Sequence, residues 1–321
     1  MIRFSNLTLK DRKILFELES NSRQSNKKIA RKSRLSKYVV SYRIKKMEKI
    51  NVIRGYYTVI DGSRLGYVFY RVFLNVIDMP NEKLDEMINY LKDQKSIWWI
   101  GIMDGAWNIV FAMWAKNHQE FSKFYDLFNK RFRAYVKEHL VCPLLAYKQI
   151  GRTFDLKVKD RAIHITGASN TVQFDKTDLT ILKILATNAR ASLLSIAQEL
   201  NVDSMTIYHR IKKLENRGII QGYKIDLNFN TLGLEVYSVK INVRETSRIQ
   251  SLIEYCSNLP ETTAIIQAVG SYDFEFDMEV TNAARYFEII SDIKSKFEFI
   301  REIIYYRVLK NYKISYMPEE F

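Results

Sequence analysis

The sequence predicts an α+β fold in which one two-part unit occurs twice: three short helices, then a βαββαβ sheet domain. Two observations carry this. The stretch SKYVVSYRIKKMEKINVIRGY (Ser36–Tyr56) returns 167 positions later as DSMTIYHRIKKLENRGIIQGY (Asp203–Tyr223). Arg43, Ile44, Lys45, Lys46 and Glu48 fall without a gap on Arg210, Ile211, Lys212, Lys213 and Glu215, the mark of an internal duplication. After each copy of this stretch the apolar period changes from that of a helix to the alternation of a strand. At 321 residues, 47% hydrophobic and 27% charged, the chain has room for several cores.

The first element is an amphipathic helix over Leu7–Glu19, with Ile14, Leu15 and Leu18 at helical spacing. Ser25 caps a short second helix, NKKIARK, and Ser33–Leu35 makes a turn. A third helix starts at Ser36, buries Val40, Ile44 and Met47, and ends before Gly55. Three short helices with a tight turn before the third match the helix-turn-helix pattern. Val68, Tyr70, Val72, Leu74 and Val76 then alternate as a strand, and Asn81–Lys92 reads as a helix. Trp98–Trp114 reads as a hairpin turning at Asp104-Gly105, and not as a membrane span. Asn117 caps a helix carrying Phe121, Phe124, Tyr125, Phe128 and Phe132 as core, and Val136–Tyr147 is a last strand. That order is ferredoxin-like.

The expected domains are therefore a helix-turn-helix at residues 1–60, a ferredoxin-like domain at 61–150 and a linker at 151–170 containing one short strand. A second helix-turn-helix follows at 171–227, and a second ferredoxin-like domain at 228–321.

Charge distinguishes the copies. Of the net +14, residues 1–60 alone carry sixteen Lys/Arg against four Asp/Glu, whereas residues 227–321 carry ten against fourteen. Lys27, Lys28, Arg31, Lys32, Arg34 and Lys37 crowd the second helix and the turn with no acid between them. Phosphates would relieve that repulsion through counterion release, which makes nucleic acid the expected partner. Cys142 and Cys256 occupy non-equivalent positions and lack a CxxC context, so they read as free thiols in a reducing cytoplasm. The opening MIRFSNLTLKDRK runs directly into charged helix, so no signal peptide and no membrane partner are expected.

These residues resemble the Lrp/AsnC family of prokaryotic transcriptional regulators. Copy two carries the pattern best, in Asp175–Asp178, Ile196-Ala197, IYHRIKKLENRGIIQGY, Leu232-Gly233 and GSYDFEF. Copy one departs at Arg34, where the family usually has Gly, and at Asn108, where it has Asp. The resemblance implies a sequence-specific double-stranded DNA binder, found with the nucleoid, with no cofactor and no enzymatic activity. Members are typically half this length, assemble as dimers and higher oligomers, and many bind amino acids between sheet domains.

By position in the motif, the groove-facing residues are Lys37, Tyr38, Ser41, Tyr42 and Lys45, and in copy two Ser204, Met205, Tyr208, His209 and Lys212. Ser36, Lys46 and Lys213 join them as DNA contacts, the lysines toward phosphates. Arg43 and Arg210 either contact phosphate or tie the helix to its own domain. Gly270, Tyr272 and Asp273 are the candidate effector residues, with Asp273 offering a carboxylate to an amino group.

The sheets differ in their second faces, which carry Val110, Ala112 and Trp114 in copy one and Glu275, Asp277 and Glu279 in copy two. An apolar face marks an interface, and an acidic ladder resists burial without cations. The expectation is a homodimer through the first ferredoxin-like domain. The competing arrangement pairs the sheets within the chain, with Lys240 and Arg71 neutralising the acids. Two other functions are carried: a non-specific chromatin-like binder, and a siroheme decarboxylase-like enzyme, to which the family is similar in fold. Against the latter, His118, His139 and His164 have no repeat counterpart, and no phosphate loop, HExxH or GxSxG occurs.

Overall fold

A computed structural model describes residues 4–158, 160–167, 170–270 and 272–317. Ala168 and Ser169 of the expected linker and Ser271 of the second hairpin lie outside the described residues. Copy one runs α1 (Leu9–Ser20), α2 (Asn26–Ser33), α3 (Lys37–Lys49), β1 (Ile53–Ile60), β2 (Val68–Val76), α4 (Asn81–Asp93), β3 (Ile97–Gly105), β4 (Ile109–Ala115), α5 (His118–Phe132) and β5 (Val136–Ile150). The connection holds β6 (Ile163–Thr166), the short strand expected there. Copy two begins with α6 (Lys176–Thr187), α7 (Leu193–Leu200), α8 (Ser204–Asn216), β7 (Ile220–Leu227) and a one-turn α9 (Phe229–Leu232). It continues with β8 (Glu235–Val243), α10 (Ile249–Asn258), β9 (Thr262–Ala268), β10 (Phe274–Val280), α11 (Ala283–Lys296) and β11 (Ile300–Ile314).

The helix starts obey local chemistry. Ser25, Ser36 and Asn117 each accept a backbone N–H of the first turn, satisfying donors that the helix leaves unpaired. The first helix starts at Leu9, not Leu7, because Thr8 caps it in a capping box with Asp11, and Asp175 and Asp178 repeat the box in copy two.

Strands β1 and β7 have no counterpart among the expected elements. They pair antiparallel as a two-stranded ribbon, with Tyr56 opposite Ile225 and Thr58 opposite Tyr223. Each helical head docks on the strand supplied by the other copy. Ser22 N–H donates to the Tyr223 carbonyl at 2.9 Å, and, 167 residues on, Ala189 N–H donates to the Tyr56 carbonyl at 2.9 Å. Ile225, Leu227 and Leu232 belong to the core of the first head, while Ile60 and Trp114 belong to that of the second. Exchange of this kind is a two-fold interface written within one chain.

The sheet domains join in the same way. Among the described residues, eight strands run β2-β4-β3-β11-β8-β10-β9-β5 and close through β5 onto β2, with β6 added at the edge of β5. The joints between copies are β3 with β11 and β5 with β9, all antiparallel. Helices α4 and α5 cover one outer face over Phe111 and Met113, and α10 and α11 cover the other over Phe274, Phe276 and Met278. The second faces of both sheets point into the barrel.

This closure corrects the expected homodimer through the first ferredoxin-like domain, because β3 and β5 spend their pairing edges on copy two of the same chain. The acidic ladder goes inside with cations beside it. Arg71 meets Glu275 at 2.8 Å, and Tyr306 OH donates to the same carboxylate at 2.8 Å. Arg152, from the connection, holds Glu279 at 2.7 Å and Glu19 of α1 at 2.8 Å, and Lys224 of β7 also reaches Glu19 at 3.0 Å. Lys240 enters the barrel too, its ammonium over the Phe73 ring at 3.3 Å. Both cysteines are free and buried.

Arg71→Leu leaves Glu275 buried without its cation and should cost about 3–5 kcal/mol in denaturant unfolding, while Arg71→Leu with Glu275→Leu should recover much of it. Asp277 behaves oppositely to its neighbours, since burial, then the charge of Glu275, pushes its carboxyl above the usual range. The native state therefore binds this proton more tightly than the unfolded chain. Its contribution is complete below the ordinary aspartate value and is lost as pH rises through the raised one. Asp277→Asn should stabilise the protein at pH 8 and change little at pH 4, measured by thermal unfolding.

Candidate nucleic-acid interface

Helices α3 and α8 each bury one stripe and present the opposite side to solvent. Val40, Ile44 and Met47 face inward on α3, as do Ile207, Ile211 and Leu214 on α8. Outward stand Lys37, Tyr38, Tyr42, Lys45 and Lys46, and in copy two Met205, Tyr208, His209, Lys212 and Lys213, with Ser204 half-buried. Tyr38 is 80% and Met205 62% exposed at equivalent positions. Large apolar groups left in water on the outer face of a helix are positioned to be covered by something else.

Other expected contacts serve the fold. Ser36 caps α3, its Oγ accepting Val39 N–H at 3.2 Å, and Ser41 Oγ accepts from Asn26 at 2.9 Å. Arg43 reaches Asp11 at 2.8 Å and Thr8 at 2.9 Å, and Arg210 reaches Asp175 and Asp178, each at 2.8 Å. Both arginines therefore tie the third helix to the capping box of the first, the structural one of their two readings. Lys32 is drawn to Glu17 at 2.9 Å, and Lys212 to Glu215 at 2.6 Å, so neither offers a free ammonium.

The second helices of the two heads are unlike. Lys27, Lys28 and Arg31 stand exposed on α2, with Arg34 just beyond it. The equivalent positions beside α7 are Leu194, Ser195, Gln198 and Asn201, none of them basic. Arg34 adopts φ 57° and Asn201 φ 52°, so the turn takes the left-handed conformation in both copies, with arginine where glycine is usual.

The coupling of the heads rests on two residues outside the expected site. Arg23 donates to the carbonyls of Ala189 and Ala191 at 2.6 and 2.8 Å. Its equivalent Arg190 donates to the Ser22 carbonyl at 3.2 Å and to Asn26 at 2.7 Å. Each guanidinium also lies over a ribbon tyrosine, Arg23 over Tyr223 at 5.8 Å and Arg190 over Tyr56 at 5.1 Å. The 167-residue offset between Arg23 and Arg190 was the signal available.

The hairpin read as an effector site is occupied by its own structure. The Asp273 carboxylate accepts Val243 N–H at 2.7 Å, and Asn108 does the same for Val76 at 2.8 Å in copy one. Tyr272 is buried with the Lys240 ammonium 4.4 Å from its ring, and a Cβ at Gly270 would fall 2.8 Å from Cys142 Sγ. The histidines are dispersed. His118 meets Tyr70, His139 lies near Tyr125, and His164 rests on Gly222, where a Cβ would fall 2.1 Å from the ring. Burial, then the positive Lys224, keeps the His164 ring below its usual pKa. Among the described residues no group of three or more His, Cys, Asp and Glu could hold a metal ion, and no helix is long and apolar enough to cross a membrane. A cavity of about 260 Å³ lies between barrel and ribbon.

A winged helix-turn-helix DNA-binding family model matches residues 7–54 and 174–221, one head in each copy. The HTH-type transcriptional regulator Ptr1 of Methanocaldococcus jannaschii is 33% identical over 131 residues, 41% of this chain and 82% of that protein. An uncharacterised HTH-type transcriptional regulator of Pyrococcus furiosus is 34% identical over 102 residues, 32% of this chain and 69% of that protein. In overall fold the chain is similar to the siroheme decarboxylase NirDL, with a TM-score of 0.66 and 13% identity over 97% of this chain and 94% of that one.

Arg43→Ala should lower thermal stability by roughly 1 kcal/mol for a largely covered pair and leave unchanged the slope of log affinity for DNA against log salt. Lys46→Ala should lower that slope by about one with stability intact.

Proposed function

This chain belongs to the Lrp/AsnC family of DNA-binding transcriptional regulators, and from that premise we propose that it grips a two-part DNA site as a single chain, with the first head supplying most of the affinity. The observation that supports this is the reciprocal docking of both heads on one ribbon, combined with their unequal charge. The two heads are related by an internal two-fold, as the subunits of a helix-turn-helix dimer are, so two half-sites are read at once. Their outward residues differ at every groove-facing position except Lys45 and Lys212, so the half-sites differ in sequence.

In the first half-site Lys37, Tyr38, Tyr42 and Lys45 reach base edges. Lys27, Lys28, Arg31, Arg34 and Lys46 neutralise flanking phosphates, supplying the salt-dependent part of the affinity. In the second, Ser204, Met205, Tyr208 and His209 read with little electrostatic help, because Arg210 and Lys212 are already paired. Assembly beyond the single chain uses surfaces other than the second faces of the sheets. Footprinting against genomic fragments tests the regulator reading: discrete protected sites support it, and continuous coverage would favour a chromatin-like role.

The full-length likeness in fold to a siroheme decarboxylase motivates a second reading, an enzyme acting on a tetrapyrrole. Its polyanionic substrate would need free cations, yet Arg54, Arg71 and Arg152 on the cavity wall are each paired with a carboxylate. A Soret band surviving gel filtration after incubation with an iron uroporphyrin would favour the enzyme.

Lys37→Glu should weaken binding to the intact site at least tenfold or so, and Lys212→Glu should cost much less. Equal losses in a gel-shift titration would mean that the heads contribute equally and that charge does not rank them.

A further inference from the structure

The cavity between barrel and ribbon is built from both copies. Its floor is the inner face of β10 and β8, with Asp277 and Ser238, and its roof is the ribbon, with Tyr57 and Thr58. Phe69, Trp98, Trp99, Trp114 and Tyr316 form much of the wall, and Tyr57 and Tyr316 stack with centroids 3.7 Å apart. At about 260 Å³ it far exceeds the ~10–15 Å³ that holds one water.

Asp277 is the one acid of the ladder without an ion pair among the described residues, since Glu275 has Arg71 and Glu279 has Arg152. Its one side-chain partner there is Ser238 Oγ at 2.5 Å, which lies 2.5 Å from Glu275 as well. A hydroxyl has one proton and cannot donate to both carboxylates. Glu275 Oε1 already accepts from Arg71 and Tyr306, each at 2.8 Å, whereas among the described residues Asp277 has no donor beyond the shared hydroxyl and opens onto the cavity.

A carboxylate without a counter-ion at the base of an aromatic-walled chamber is chemistry for an organic cation, which ring faces and a negative charge stabilise together. We propose that this cavity is a binding site for a small organic ammonium ion, with Asp277 as its counter-ion and the tryptophan and tyrosine faces as its cage. An anionic or zwitterionic ligand fits less well, because the arginines on the wall, Arg54, Arg71 and Arg152, already hold carboxylates. The site is separate from the Gly270–Asp273 hairpin. Because the ribbon is its roof, a bound cation touches the element on which both heads dock. Transmission to DNA rests on the proposed function, whereas occupancy does not.

Three of the four tryptophans lie on the cavity wall, so intrinsic fluorescence of the full-length protein reports occupancy. The protein is titrated at pH 8 with tetramethylammonium chloride and n-butylammonium chloride at constant ionic strength, with sodium chloride and sodium butyrate as controls. The expected result is a saturable change with at least one ammonium salt and none with the controls. Asp277→Asn removes the charge while keeping the shape, and its circular dichroism should match the parent. Its midpoint should rise at least tenfold or so. Absence of a saturable change, an equal response in the folded Asp277→Asn protein, or an equal response to butyrate would overturn the proposal.

Discussion

Three carboxylates at alternate positions on β10 impose the constraint on which the architecture rests. A strand that turns Glu275, Asp277 and Glu279 to one side cannot dry that side without counter-charge, since each unpaired ion would cost several kcal/mol. Arg71 from copy one and Arg152 from the connection bring that charge. Arg152 also holds Glu19 at the end of α1, which Lys224 of the ribbon reaches as well, so one buried cluster spans sheet, connection, head and ribbon. Burial alone would raise the Glu19 carboxyl, but Lys224 and then Arg152 pull it below its usual range, keeping the cluster charged. Such clusters are weak sources of net stability and strong sources of specificity, because the wrong partner leaves a bare charge inside.

The ribbon has the matching role outside the barrel. Docking each head on the other copy's strand makes the two recognition helices one body, whose spacing is set by backbone pairing and by Arg23 and Arg190. A flexible tether would give the heads only an effective concentration, whereas the ribbon fixes geometry. DNA-reading residues then need no common sequence, only a common frame. The basic charge on α2 and its absence on α7 show how far the surfaces have separated while the caps, the left-handed turns and the Arg–Asp ties stayed alike.

Much of this was legible beforehand. The constant offset located both heads, alternation located the sheet strands, and Ser25, Ser36 and Asn117 marked helix starts, because each signal is local. The inward and outward faces of β4 and β10 were also legible, since a strand's period is two. The partner of the inward faces was not. Both a homodimer and a closure in cis bury the same residues, and choosing between them depends on Arg152, which sits in what reads as a linker. The ribbon was missed for a related reason. IRGYYTVI and IQGYKIDL follow helices directly and become strands by pairing with each other across 167 residues. Arg43 and Arg210 were ambiguous because exposure of a guanidinium cannot be read from its place on a helix. Asp277 was legible as an acid on the inner face, but its lack of a partner was not.

Fusion explains why the faces could diverge at all. In a homodimer the interface is isologous, so whatever stands on one sheet stands on its mate. Two copies of the second sheet would place six carboxylates in one barrel, and two copies of the first would surround Arg71 with apolar groups and a second arginine. Neither pairing balances charge. One of each does, with Arg71 facing Glu275 and with Ser238 occupying in copy two the position that Arg71 holds in copy one. A row of acids on β10 is therefore tolerable only opposite a sheet free to differ, and the single chain guarantees that partner. The same freedom leaves Asp277 without a cation of its own beside a cavity that a symmetric barrel could not have on one side alone.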